Sequence, residues 1–351
     1  MNEKALQTLE YHKIIDMLSE CATCASGREL CRNLKPSGNL PEIQLAQQQT
    51  SDALTRIYQK GSLSCSGTHN VGASLKRLEV GGVLSIEELL KIASLLEAAK
   101  RAKAYSRTER EESKADSLEM LFGRLEPLTP LLEEIRRCIL SEDEIADDAS
   151  ANLKSIRRSI KNTNEKIRSQ MNELLNSSRT HLQDAVITMR GGRYCLPVKA
   201  ESKGQVPGMI HDQSSTGSTF FIEPMAVVKL NNDLKELYLK EREEIEVILA
   251  TLSSLTGEYI PYLKDDYEIL TELDFIFAKG SLAKKYNGTS PIFNQEGRIK
   301  IRRGRHPLLD SRKVVPIDIR LGDEFDLLIV TGPNTGGKTV SLKTVGLFTL
   351  M

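Results

Sequence analysis

The sequence predicts a mainly α-helical core, then a long antiparallel helical arm with a small β insert, and finally the start of a truncated α/β P-loop domain. Three observations support this fold class. Apolar residues recur at helical spacing through most of residues 1–280. Short β-like runs separated by turn residues interrupt this pattern at about residues 185–224. A phosphate-binding motif, G-x-x-x-x-G-K-[ST], occupies residues 332–339.

Residues 1–150 are predicted to form the helical core domain. One helical face near its beginning carries Leu6, Leu9, Ile14, Ile15 and Leu18. Ser85 and Glu88 have the spacing of a capping box, in which each side chain accepts a hydrogen bond from the other residue's backbone N–H, and they predict a helix start. Ser141 and Glu144 repeat that spacing and predict a second one.

Residues 151–280 are predicted to form the arm. Leucine or isoleucine recurs every seven residues at Leu153, Ile160, Ile167 and Leu174, which is typical of a long helix in a two- or three-helix seam. A second apolar stripe lies on a helix from about Met225, so we expect the two helices to run antiparallel. The four β-like runs between them predict a small β-meander, with Gly191-Gly192 as one of its turns.

The phosphate-binding motif is the most specific feature of the sequence. An apolar run within residues 326–331 predicts a buried strand before it, and apolar residues after it predict a helix. The residues predicted to bind ATP are Gly332, Pro333, Asn334, Thr335, Gly336, Gly337, Lys338 and Thr339. Lys338 is the candidate catalytic residue because it should reach the β- and γ-phosphates. The Thr339 hydroxyl should bind Mg²⁺.

The chain ends twelve residues after Thr339, inside an apolar helical pattern. A P-loop ATPase also needs later strands, including one that supplies an acidic residue for the metal and the attacking water. We therefore expect residues 290–351 to be the beginning of an incomplete ATPase domain. On this interpretation the chain is the N-terminal part of a longer protein and is inactive in hydrolysis by itself.

The composition limits the class of protein. The chain has 351 residues and no net charge, so no global field draws it to nucleic acid or membrane. No signal peptide and no apolar run of membrane-spanning length occur, which predicts a cytoplasmic protein without a membrane partner. Six cysteines in a chain of this length do not indicate a disulfide framework.

Three further features each admit two interpretations. The basic run of Lys154, Arg157, Arg158, Lys161, Lys166 and Arg168 could contact nucleic-acid phosphates or could be a solvated helix face, and so could the arginines of residues 298–305. Cys21, Cys24 and Cys31 could bind a metal or could be incidental. His306 could be catalytic, although a structural role beside Pro307 is favoured because no paired acid or nucleophile is visible.

Several stretches resemble the MutS superfamily. GRHPLL at 304–309 and TGPN with GGKT within 331–339 are similar to the entry of its ATPase domain. GGVLS at 81–85, RGGRY at 190–194, PVK at 197–199 and GSTFFIEP at 217–224 resemble one branch, the bacterial MutS type 2 proteins. An aromatic residue that stacks on adenine in many MutS proteins is replaced here by Val314 and Val315. Phe221-Ile222-Glu223 has the letters of a mismatch-reading motif, but it lies within the β insert.

The resemblance implies a homodimeric, clamp-like ATPase that binds DNA, such as branched or recombination intermediates, and suppresses homologous recombination. It implies endonuclease activity only for a full-length protein, in a C-terminal domain. The alternative is a ribosome-associated ATPase that binds rRNA and splits collided ribosomes. Mismatch repair proper is less favoured. A coiled-coil chromosome-organising ATPase is disfavoured because its P-loop would lie near the N-terminus.

Overall fold

The computed structural model describes residues 2–107, 116–310, 312–332 and 337–351. The chain divides into two compact units. Unit 1 comprises Met1–Val80, Lys91–Leu132 and Gly257–Met351, and unit 2 comprises Gly81–Leu90 and Glu133–Thr256. Each unit combines segments that are distant in sequence, and the domain limits drawn from the sequence remain predictions.

Most of the described chain is helical, as expected. The helices are α1 Glu3–Thr8, α2 Tyr11–Cys21, α3 Ala25–Asn33, α4 Leu40–Lys60, α5 Gly72–Glu79, α6 Ile86–Ser106, α7 Glu119–Arg124, α8 Thr129–Cys138, α9 Ala151–Ser177, α10 Met225–Gly257, α11 Ile260–Tyr286 and α12 Lys338–Leu350. The predicted capping box at the start of α6 is confirmed. The Ser85 N–H donates to Glu88 Oε2 at 3.0 Å, and the Glu88 N–H donates to Ser85 Oγ at 3.3 Å.

The strands form three small sheets with antiparallel pairs throughout the described residues. They are β1 Ile139–Ser141, β2 Glu144–Ile145, β3 Thr188–Arg190, β4 Arg193–Lys199, β5 Gly208–Gln213, β6 Thr219–Pro224, β7 Ile299–Gly304 and β8 Ile317–Leu321. The sheet orders are β1-β2, β3-β4-β6-β5 and β7-β8.

The second predicted capping box is wrong. Ser141 ends β1 and Glu144 begins β2, and the buried side chains of Ile139 and Ile145 face each other across this pair. Apolar residues on both sides of a short acidic turn favour a hairpin, because the hairpin buries both of them. The next helix, α9, instead starts after Ser150, whose Oγ accepts a hydrogen bond from the Leu153 N–H at 2.9 Å.

The β insert has the predicted four strands, but its meander order is wrong. β6 lies between β4 and β5, so β5 is an edge strand. All six residues of β5 are exposed, whereas β6 contains several buried residues, and an exposed strand is best placed at an edge. The predicted turn is confirmed, since Gly191 and Gly192 join β3 to β4 with φ values of 57° and 75°.

The two long helices of unit 2 run antiparallel, as the apolar stripes predict. Near the start of α9, Arg157 Nε donates to Glu241 Oε1 at 2.7 Å in the second half of α10. Near the end of α9, Met171 packs in a buried cluster with Val227, close to the start of α10. The same cluster contains Leu196 and Ile222, so α9 and α10 share one apolar core with the sheet.

One apolar cluster of unit 1 is built from α2, α3, α11 and α12 and includes Ile14, Leu18, Cys31, Ala278 and Leu347. The unit also buries other large apolar side chains, among them Ile92, Leu95, Phe122 and Phe277. Within the described residues, no helix is both long enough and apolar enough to cross a membrane.

Asp266 of α11 is a buried carboxyl group, and only one of its two oxygens has a hydrogen-bond partner among the described residues. Its Oδ1 accepts a hydrogen bond from the Glu126 N–H at 2.8 Å, but its buried Oδ2 has no hydrogen-bond partner among the described residues. Burial raises the pKa of Asp266 to about 7, and the charges of Glu126 and Asp265 act in the same direction. The hydrogen bond from Glu126 and the charge of Lys103 partly oppose this rise.

The raised pKa makes unit 1 lose stability as the pH rises. Below about pH 4 the carboxyl is protonated in both the folded and the unfolded chain, so its ionisation does not change the free energy of unfolding. Between about pH 4 and pH 7 only the unfolded chain ionises, and the free energy of unfolding falls by up to about 1.4 kcal/mol per pH unit from this group. Asp266→Asn should remove that fall. Chemical denaturation at pH 5, 6, 7 and 8 measures it.

The control for this experiment is Asp16→Asn, which removes an exposed carboxylate from the same unit. We expect the stability of Asp266→Asn relative to the wild type to increase from pH 5 to about pH 7 and then to level off, and the control to show no such trend. Parallel pH profiles for the wild type and Asp266→Asn would show that Asp266 is not the group responsible.

Gly208 permits a close approach between β5 and β6. A Cβ at this position would lie 2.2 Å from the Glu223 carbonyl oxygen and 2.6 Å from Ile222 Cγ2. Gly208→Ala should therefore separate the two strands and destabilise unit 2 by about 1–3 kcal/mol. Gly204→Ala is the matched control, because a Cβ there meets nothing within 4 Å. The two variants are compared by thermal unfolding and by the rate of proteolytic cleavage within residues 133–256 of the whole chain. Equal stability of both variants would contradict the packing described.

Candidate nucleotide site and other candidate sites

The predicted nucleotide-binding loop is described only at its two ends. Pro333, Asn334, Thr335 and Gly336 lie outside the described residues. Gly332 and Gly337 flank them with φ values of 139° and 79°, which are conformations that favour glycine. The motif therefore places glycine where the backbone needs it.

Helix α12 begins at Lys338, where the motif predicts a helix start. Its N-cap is Gly337, so no side chain caps the first turn. Backbone N–H groups of such a first turn lack intrahelical acceptors, and with the helix dipole they favour an anion. Lys338 Nζ donates to the Gly332 carbonyl oxygen, so the lysine side chain reaches across the loop. Thr339, in the same turn, is exposed. These residues fit a phosphate group and a metal ion bound to it.

The predicted buried strand before the loop is wrong. Residues 327–330 form no strand, and Leu327 and Ile329 are each 74% exposed. A strand is stabilised by the hydrogen bonds of a neighbour, and among the described residues β7 and β8 pair only with each other. Without a neighbouring strand, this apolar run stays irregular.

Helix α12 is joined to the N-terminal helices by an ion pair and by close packing. Lys343 Nζ lies 3.0 Å from Glu10 Oε2, and Glu10 also pairs with Lys13. Hydrogen bonds from Lys13 and Lys343 lower the pKa of Glu10 to about 2. A Cβ on Gly346 would lie 2.8 Å from Leu9 Cδ2, so the helices approach closely. Sequence reasoning missed Glu10 because its partner is 333 residues away.

His306 is buried beside this ion pair. Its Nδ1 accepts a hydrogen bond from the Leu308 N–H at 3.3 Å. Burial lowers the pKa of His306. The negative charge of Glu10 raises this pKa by a smaller amount, and the positive charge of Lys343 lowers it further. A buried ring that bonds its own loop supports the structural interpretation of His306. Val315 is 77% exposed and has no ring, so it offers no aromatic stacking surface for adenine.

Glu223 of the Phe-x-Glu stretch is fully buried in a polar network. Its carboxylate accepts hydrogen bonds from Arg193 at 2.7 and 2.9 Å and from Asn231 Nδ2 at 2.7 Å, and it contacts His211 Nε2 at 2.5 Å. Arg190 covers the neighbouring Phe221, with its guanidinium carbon 3.9 Å from the ring centroid. Neither side chain is free to enter a DNA stack, which supports the structural interpretation.

The cysteines near the N-terminus serve packing and helix capping. Cys24 Sγ accepts a hydrogen bond from the Gly27 N–H at the start of α3, at 3.3 Å. Cys31 is fully buried, and burial raises the pKa of its thiol to about 12. A protonated thiol is a poor metal ligand. In the part of the chain that the structure describes, no group of three His, Cys, Asp or Glu side chains is placed to hold a metal ion.

Both basic regions are only partly neutralised. In residues 298–305, Arg298 pairs with Glu296 at 2.9 Å and with Asp323 at 3.2 Å, whereas Arg302, Arg303 and Arg305 are exposed. In α9, Lys154 and Arg157 are ion-paired, whereas Arg158, Lys161, Lys166 and Arg168 are exposed. The exposed α9 cations lie along one continuous helix, so their spacing can be compared with that of a row of phosphates.

Comparisons with known proteins identify the family. No protein-family model matches the chain. The protein named endonuclease MutS2 is 62% identical over 353 residues in Agathobacter rectalis, 58% over 358 residues in Lachnoclostridium phytofermentans and 48% over 354 residues in Acetivibrio thermocellus. Each match covers 100% of this chain and 45% of the relative, consistent with the N-terminal portion of those proteins. The similarity covers the whole of this chain and is that of the N-terminal portion of a MutS2 protein.

Proposed function

We propose that this chain supplies the ATP-binding loop and a nucleic-acid-binding arm of a clamp-like MutS2 ATPase. One observation carries the nucleotide part of this proposal. Glycines with positive φ flank the loop, and Lys338 reaches from the uncapped start of α12 back to the Gly332 carbonyl. The same lysine would exchange that carbonyl for a phosphate oxygen, since a phosphate is the stronger acceptor for an ammonium group.

Each residue at the loop has a distinct role in this proposal. The backbone N–H groups between Gly332 and Lys338 would surround the phosphates, and Lys338 would bind the β- and γ-phosphate oxygens. The Thr339 hydroxyl would bind Mg²⁺, which neutralises phosphate charge when bound. The ion pair of Lys343 with Glu10 would hold α12 against the N-terminal helices while the loop closes on its ligand.

The activity of a whole MutS2-type protein extends beyond this chain, which spans less than half the length of the relatives it matches. We propose DNA as the nucleic acid, with a homodimer as the clamp, because relatives are named endonucleases. Suppression of recombination and the nuclease itself are proposed only for the whole protein. Binding to ribosomes is a competing outcome that direct binding to purified ribosomes would reveal.

Lys338→Ala should weaken binding of Mg·ATP by at least about tenfold, because it removes a charged hydrogen-bond donor worth about 1.5–3 kcal/mol. Lys76→Ala is the matched control, since it removes an exposed lysine from the same unit, away from the loop and α12, and it should leave the affinity unchanged. Isothermal titration or fluorescence of a labelled nucleotide measures both variants in this chain and in the complete gene product. Unchanged affinity of Lys338→Ala would refute the nucleotide site.

Thr339→Ala should selectively weaken the contribution of Mg²⁺ to ATP affinity. Ser341→Ala is the matched control, because that hydroxyl also lies in the first turn of α12 but donates to the Gly337 carbonyl at 3.2 Å. ATP titrations with Mg²⁺ and with EDTA should show a smaller metal effect for Thr339→Ala only. An equal metal effect in the two variants would remove Thr339 from the site.

A further inference from the structure

Helix α9 is strongly basic, whereas its partner helix α10 is acidic. α9 contains six Lys or Arg residues and two Glu residues. α10 contains four Lys or Arg residues and six Asp or Glu residues. A helix pair with this imbalance could cancel its charges at the interface between the helices. The contacts show that it does so at one end only.

Two of the six α9 cations are neutralised near the start of the helix. Lys154 Nζ lies 2.6 Å from Asp148 Oδ1. Arg157 lies 2.6 Å from Asp147 Oδ1 and 2.7 Å from Glu241 Oε1. The other four cations are exposed, and none forms an ion pair within the described part of unit 2. Positive charge is therefore concentrated in the middle of α9.

Three of these four cations lie on one side of the helix. At 3.6 residues per turn, Arg158, Lys161 and Arg168 fall within about 80° of arc. They lie outside the buried face, which contains Leu153, Ile156, Ile167 and Met171, and Arg168 comes nearest to it, about 60° around the helix from Met171. We call these three residues the α9 stripe. Lys166 projects from another side, and Glu165 is the single acid within the arc.

The dimensions of the α9 stripe match a row of phosphates. Arg158 and Arg168 are ten residues apart, which is about 15 Å along a straight helix. Each DNA strand carries one phosphate per about 3.4 Å of duplex axis, so several phosphates face this length. The stripe has no aromatic residue, and neither has the rest of α9, so stacking on single-stranded bases is not available. The chemistry fits sequence-independent contact with a duplex backbone.

We propose that the α9 stripe is a contact surface for the phosphate backbone of double-stranded DNA. This inference rests on the proposed nucleic-acid-binding function and specifies where the contact is made. Duplex DNA is the occupant we commit to, because it is the nucleic acid of the proposed function and because contacts from lysine and arginine to phosphate oxygens need no 2′-hydroxyl. An RNA duplex also carries phosphates, and it is therefore one arm of the test.

The test replaces all three stripe residues by glutamine in the complete gene product, as Arg158→Gln, Lys161→Gln and Arg168→Gln. Affinity for a 30-base-pair DNA duplex is measured by fluorescence anisotropy from low to moderate KCl concentrations. The slope of log K against log salt should become shallower by about 2.7, because each lost phosphate contact removes about 0.9. Affinity at low salt should fall by at least about tenfold.

The matched control replaces three exposed cations of α10 by glutamine, as Lys229→Gln, Lys235→Gln and Arg242→Gln. It changes the net charge equally, so it should leave the slope unchanged if the contact is local. Circular dichroism and thermal unfolding of both triple variants must match the wild type. The Lys166→Gln variant, from another side of α9, should also keep the wild-type slope.

The outcomes separate this inference from the function on which it rests. DNA binding by the wild type with unchanged slope in the stripe variant would overturn the stripe and leave nucleic-acid binding intact. Equal slope changes in both triple variants would also overturn it, since bulk charge would then explain the effect. A slope change only with an RNA duplex of the same length would overturn the DNA assignment. A wild type that binds neither duplex would refute the proposed function and the stripe together.

Discussion

The buried carboxylate of Asp274 is the constraint on which unit 1 depends. It accepts hydrogen bonds from the Thr23 N–H, the Thr23 hydroxyl at 2.6 Å and the Cys24 N–H at 3.0 Å. It thus fixes the turn between α2 and α3 against α11, about 250 residues later. Gly27 belongs to the same constraint, because a Cβ there would lie 2.1 Å from Asp274 Oδ2. Each donor left unsatisfied would cost about 1–3 kcal/mol, so α2 and α3 cannot move independently of α11.

This rigid N-terminal assembly gives helix α12 a fixed support. Leu347 packs into the cluster that α2, α3 and α11 form, and Lys343 reaches Glu10 at the junction of α1 and α2. Glu10 has a left-handed backbone conformation, with φ of 58°, which is uncommon for a residue other than glycine. The proposed nucleotide-binding residues occupy the first turn of the same helix. A ligand that repositions Lys338 therefore acts on a helix whose other end is held by packing and by one ion pair.

The features predicted correctly from sequence depend on residues that are close in the chain. The capping box at Ser85, the start of α12 at Lys338 and the Gly191-Gly192 turn are each determined by a few neighbouring residues. The order of the β insert and the irregular run at 327–330 depend on which strand is available as a neighbour, and local patterns do not encode that. Glu10 could not be identified as part of the site because its partner is distant and a lone acid has no pattern.

The net charge was the least informative quantity, because a total of zero does not show which charges are paired inside the protein and which are exposed and unpaired. Asp274 and Glu223 are buried and accept hydrogen bonds from neighbouring groups, and Glu241 forms an ion pair with Arg157. Acids that satisfy donors inside a unit are held away from solvent and from any approaching phosphate. The cations in the middle of α9 have no such partner within the described residues and remain at the surface. A neutral chain can therefore present a local positive field, because field strength at a surface follows the nearest unpaired charges and is screened within about 10 Å.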